Sequence, residues 1–227
     1  MIIGTGLIAR SFESYRDDDR FLIFASGVSN SKTKNPEAYQ REINLLNECM
    51  LQNPEKTIVY FSTCSIYDPD EKNSAYVQHK LKIETTIQTT AARHYIFRVS
   101  NVVGKSPNPN TLLNYFYYHI RNGINFDLWI NACRNIIDID DVFYIADKLL
   151  KKNTPSSQPI NIGSPVNYRV KEIVATIELF LHTKSNYIEV TKGSCFDIDL
   201  SDIEPILKQS QLNFKEEYLA GLVAKYY

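Results

Sequence analysis

The 227-residue chain has no run of about 18 apolar residues, so a helical membrane span is not expected. It has four cysteines (Cys49, Cys64, Cys133, Cys195) and no CxxC pair. Together with an N-terminus, "MIIGTG", that has no basic stretch before an apolar core, this spacing predicts reduced thiols in a cytoplasmic protein. The four histidines are scattered (His79, His94, His119, His182), and none has metal-ligand spacing, so no metal site is expected. The formal net charge is only -1, which leaves no global field to attract nucleic acid or an acidic membrane surface. No repeat or low-complexity tract is present.

What remains is ordinary for a globular chain: 44% hydrophobic and 22% charged residues. Short apolar runs alternate with amphipathic segments. Strands are predicted at "MIIG", 21–26, 57–63, 94–100 and 159–163. Helices are predicted at "LIARSFESY", 35–52, 74–91, 140–152 and in the amphipathic end "KEEYLAGLVAKYY". This alternation predicts an α/β fold, a Rossmann-type doubly wound parallel sheet covered on both faces. Residues 106–133 and the last sixty or so break the rhythm. They are read as a small substrate lobe (106–133 and about 166–227) on a nucleotide-binding domain (1–105 and about 134–165).

Two short stretches carry chemistry. "IIGTGLIA" places Gly4 and Gly6 between a strand and a helix, where glycine lets the backbone turn tightly and approach a pyrophosphate; a βα turn without a ligand is the plain alternative. "FSTCSIYDPDEKNSAYVQHK" (61–80) ends a strand in Ser62, Thr63 and Ser65, then places Tyr76 and Lys80 at i and i+4 on one helix face. A free phenol has a pKa near ~10, and a nearby ammonium lowers it toward the range useful for proton transfer. Roughly one YxxxK arises by chance at this composition, and Tyr144–Lys148 is a second example without a hydroxyl strand before it. His79, within the same stretch, is expected to face away as surface.

In order, the glycine turn, "FASGVSNS", "NPEAYQREINLL", "FSTCSIY", "YVQHK", "RVSNVVG", "RNIIDIDDV" and "INIGSP" make the chain resemble an extended short-chain dehydrogenase/reductase of the nucleotide-sugar epimerase/dehydratase type, over most of its length. The resemblance implies Thr63, Tyr76 and Lys80 as catalytic. It implies Gly4, Gly6, Leu7, Ile8, Ser26, Gly27, Ser62, Tyr76 and Lys80 as contacts of NADP or NAD, with NADPH the favoured form. Thr63, Ser65, Asn101, Leu112 and Arg134 would contact a nucleotide-sugar substrate. Arg134 would grip the diphosphate, to which a planar guanidinium is suited. For Arg98, a ligand role and a strand-end ion pair stand equal. A homodimer through the helices flanking the Tyr–Lys element is also implied.

Three departures from that pattern matter. Only "SFESYRDDDR" (11–20) stands where the family has two further strands, so the adenosine end of the cofactor site is cut back. Cys64 and Ser65 replace the Asp–Glu pair with which dehydratases eliminate water. An Asn usual in the helix after "FASG" is not evident, with Gln40 or Asn44 nearest to it. The reading that follows is an NAD(P)H-dependent reductase of a nucleotide-activated 4-keto-6-deoxy sugar. A nucleotide-sugar epimerase and a non-catalytic binding protein on the same fold are the alternatives.

Overall fold

The computed structural model describes every residue except Lys34, Gln211 and Glu216; the last lies within the predicted C-terminal helix and stands outside the described residues. In chain order the elements are β1 (Ile2–Ile3), α1 (Leu7–Ser11), β2 (Phe21–Phe24), α2 (Pro36–Gln52), β3 (Thr57–Thr63), α3 (Ala75–Thr90), β4 (His94–Val99), β5 (Asn101–Val103) and α4 (Leu112–Arg121). They continue with β6 (Phe126–Trp129), β7 (Cys133–Asp138), α5 (Ile139–Lys152), β8 (Ile160–Ile162), β9 (Asn167–Arg169), α6 (Val170–Leu181), β10 (Tyr187–Val190), α7 (Glu204–Gln209) and α8 (Tyr218–Tyr226).

Five parallel strands form the main sheet in the order β1-β2-β3-β4-β8. Successive side chains of a strand point to opposite faces. Accordingly Phe21, Ile23, Val59, Phe61, Tyr95 and Phe97 enter one core, with residues of α1, α5 and α7. Leu22, Phe24, Ile58, Tyr60 and Ile96 enter the other, against α2 and α3. Burial on both faces is why these strands read as continuous apolar runs rather than alternating ones. A third core joins α4, β6, α6 and α8, beside the three strands β5–β7–β9 and the pair β6–β10.

The helices that carry the candidate site have defined starts. Asn35 caps α2 by accepting from Glu37 N–H at 2.9 Å, with Pro36 in the first turn. Ser74 caps α3 by accepting from Val77 N–H at 3.2 Å, which fixes where Tyr76 and Lys80 fall. The α8 end is held by polar contacts: Lys225 reaches Asp138 and Asp140 at 2.7 Å each, and Tyr226 donates to Asp138 at 2.6 Å.

The expectation of four reduced thiols is corrected at two positions: Cys133 and Cys195 form a disulfide, while Cys49 and Cys64 are free and buried. The segment after β10 lies along β7, where Cys133 N–H donates to Ser194 O at 3.2 Å. Closeness of that kind across 62 residues has no local sequence signature.

Candidate active site

The carboxyl ends of β1, β2 and β3 bring the glycine turn, Gly27 and Thr63 to one edge of the sheet, the edge at which open α/β sheets bind ligands. Gly4 has φ +126°, and a Cβ there would stand 2.4 Å from Ala25 O, so its turn tolerates glycine alone. A Cβ at Gly6 would meet nothing within 4 Å, so this glycine borders open space rather than packed protein. Leu7 and Ile8 begin α1, a helix of only five residues. Leu7 lines a narrow cleft with Asn101, Gly104, Leu112 and Tyr227, so three of the expected ligand residues share one wall.

Thr63 ends β3, and its Oγ1 accepts from Ser65 N–H and meets Ser65 Oγ, both at 3.0 Å. Tyr76 is half-buried in the first turn of α3. Lys80, only 3% exposed, has its Nζ 5.9 Å from the centre of the Tyr76 ring. The ammonium donates to Tyr60 Oη at 2.9 Å and to Glu42 Oε1 at 3.2 Å.

Glu42 is the residue that sequence reasoning missed. It is 0% exposed, and it also accepts from Val28 N–H at 2.7 Å and Tyr60 Oη at 2.8 Å, with His79 Nε2 at 2.9 Å. Burial alone would push its carboxyl up; Lys80, His79, Val28 N–H and Tyr60 together outweigh that and hold it at about 2. The available signal was position: Glu42 falls on the stripe of α2 that buries Leu46, Cys49 and Met50, where a lone charge requires a buried partner. His79 is likewise corrected from surface to buried, 6% exposed and seated against Tyr39 with ring centres 4.5 Å apart. Gly27 closes over the pair: a Cβ there would lie 2.7 Å from Lys80 Nζ and 2.9 Å from Glu42 Oε1. Ser26 accepts from Arg41 through its backbone carbonyl at 3.3 Å.

A second buried network fixes the neighbouring strand. Ser62 donates to Glu84 at 2.5 Å, and Arg98 grips the same carboxylate through Nε at 3.0 Å and Nη2 at 2.5 Å. Arg98 also donates to Tyr67 Oη at 3.2 Å. The two readings of Arg98 therefore separate in favour of the structural ion pair. Cys64 is buried and its thiol is pushed up to about 12, so it cannot exchange a proton at neutral pH. Asn101 donates to Asn135 O at 2.8 Å. Arg134 lies 3.6 Å from Asp68, next to the turn that follows Thr63. A larger groove of about 770 Å³ lies under α8, lined by Asp138, Tyr218, Leu222 and Lys225, and contains none of the expected site residues.

A sequence model described as the NAD dependent epimerase/dehydratase family matches residues 21–163. No curated protein matches the chain. Among solved structures, it is similar to a UDP-glucose 4-epimerase from Thermus thermophilus in complex with NAD (14% identity, 96% of this chain, 80% of that one, TM-score 0.70). It is also similar to a dTDP-glucose 4,6-dehydratase from Bacillus anthracis str. Ames with NAD (17% identity, 96% and 76%, TM-score 0.70). A third is the RMD protein of Pseudomonas aeruginosa complexed with NADPH (14% identity, 90% and 80%, TM-score 0.69). At these identities the likeness shows the fold.

Proposed function

The chain belongs to the NAD-dependent epimerase/dehydratase family, and on that premise we propose that it is an NAD(P)H-dependent reductase of a nucleotide-activated 4-keto-6-deoxy sugar. One observation carries this reading. The end of β3 and the turn after it offer the hydroxyls of Thr63 and Ser65 and a buried, inert Cys64 thiol, which leaves Tyr76 as the proton donor of this reading. Such a set suits addition of one hydride and one proton to a carbonyl, and lacks what elimination of water requires.

The nicotinamide half of the cofactor fits what is present: Gly6 borders open space, and Gly27 lets bare backbone lie against the Lys80 ammonium. Gly4, Gly6, Leu7, Ser26 and Gly27 would hold it, with Lys80 on its ribose. When bound, it supplies the hydride. Thr63 would polarise the substrate carbonyl by donating to its oxygen, and Tyr76 would give that oxygen its proton, leaving an alcohol. Glu42 and Tyr60 hold the Lys80 ammonium in place, 5.9 Å from the centre of the Tyr76 ring. Arg134, with Asn101 and Leu112, would hold the nucleotide diphosphate across the cleft between the sheet domain and the proposed substrate lobe.

The test is a fluorescence titration with NADPH and NADH, followed by cofactor oxidation in the presence of 4-keto nucleotide sugars. Tyr76→Phe should keep cofactor binding and lose turnover by about 10²–10⁴-fold. Failure of both cofactors to bind at millimolar concentration, with substrate present, would overturn the proposal in favour of a non-catalytic binding protein. Return of label to the same substrate carbon without net cofactor oxidation would point to an epimerase.

A further inference from the structure

A complete dinucleotide-binding sheet consists of two halves, each providing one mononucleotide site, with the strand order reversing at the first strand. Here the order β1-β2-β3-β4-β8 runs one way only, and β1 is an edge strand among the described residues. The segment that replaces the missing half is packed protein. Phe12 and Tyr15 are buried and meet Phe143 with ring centres at 5.1 and 6.4 Å, and the chain then enters β2 at Phe21. The charges at its end lie at the wrong end of the sheet. Asp18 pairs with Arg20, and Arg20 O accepts from Thr57 N–H, at the amino ends of β2 and β3. At the carboxyl end, the glycine turn is flanked by Arg10, exposed, which donates to Thr5 O at 3.0 Å and to Lys105 O at 3.1 Å.

From this we infer that the chain recognises a nicotinamide ribonucleotide through its 5′-phosphate, with Arg10 at the phosphate rim. The adenosine half of a dinucleotide adds no affinity. The inference rests on the proposed use of a nicotinamide cofactor. It deepens that reading by making reduced nicotinamide mononucleotide a sufficient ligand and by removing discrimination at the adenosine 2′-phosphate, because among the described residues no strand of the sheet lies beyond β1.

The experiment titrates the full chain with reduced nicotinamide mononucleotide, NADH and NADPH and follows nicotinamide fluorescence, which requires no turnover. Dissociation constants for the three should agree within about tenfold, a spread of about 1.4 kcal/mol. Arg10→Ala should weaken all three by a common factor. A dinucleotide bound more than about tenfold tighter than the mononucleotide would overturn the inference and leave the reductase reading standing. So would an Arg10→Ala effect confined to NADPH. Absence of binding by all three would overturn both.

Discussion

Replacing Glu42 by Gln removes a charge that four groups share while nearly preserving shape. The Lys80 ammonium then stays in a site 3% exposed with no counter-charge, and one face of the new amide presents donors to donors. The wild-type carboxyl is held at about 2 against an ordinary 4.5, a depression equivalent to about 3 kcal/mol at neutral pH. Removing one partner of a buried pair commonly costs about 3–5 kcal/mol, so the two routes agree. For a chain of this size that loss lowers Tm by about 6–20 °C. Because the folded pKa is depressed, the stabilisation is complete above the unfolded value of 4.5 and is lost as pH falls toward about 2. Urea unfolding of wild type and Glu42→Gln at pH 7, 5, 4 and 3 should therefore show a gap that is largest at pH 7 and narrows below pH 5. A gap under about 1 kcal/mol at pH 7, or one that does not change with pH, would refute the reasoning.

Gly27→Ala should push Lys80 and Glu42 apart, lowering stability by about 1–3 kcal/mol in urea titrations and weakening cofactor binding in the same variant. Arg98→Lys should lose the two-point grip on Glu84 and cost about 2–3 kcal/mol in thermal unfolding, with cofactor affinity unchanged if Arg98 is structural. Reduction of Cys133–Cys195, which closes a 62-residue separation, should remove about 4 kcal/mol on the chain-entropy account. Differential scanning fluorimetry with and without a phosphine reductant measures this, and an unchanged Tm would refute it. Without reductant, native protein should resist alkylation, because Cys49 and Cys64 are buried and the Cys64 thiol is pushed up to about 12.

Much of the fold follows from local pattern. The strands predicted at 21–26, 57–63 and 94–100 and the helices predicted at 35–52, 74–91 and 140–152 match the observed elements to within two residues at either end. Such periodicities are set by covalent geometry and burial within a few turns of chain. The same locality brings Tyr76 and Lys80 onto one face of α3, and it explains the glycine turn, where Gly4 takes a positive φ that other residues avoid.

Tertiary packing alone decided the rest. Lys80 takes Glu42 as its counter-ion from another helix, 38 residues away in the chain. Ser62 and Arg98 are both committed to Glu84, although the sequence pattern offers all three as polar residues of a strand end or a helix. His79 is buried because α2 covers it, and Cys133 meets Cys195 because the segment after β10 runs along β7. Nothing in a local window encodes these pairings; they exist only once both faces of the sheet are covered. The sequence by itself determined the strand–helix order and the spacing that puts Tyr76 and Lys80 on one face of α3. The folded chain decided which charges neutralise one another, because the desolvation that makes those pairings necessary arises only in the packed interior.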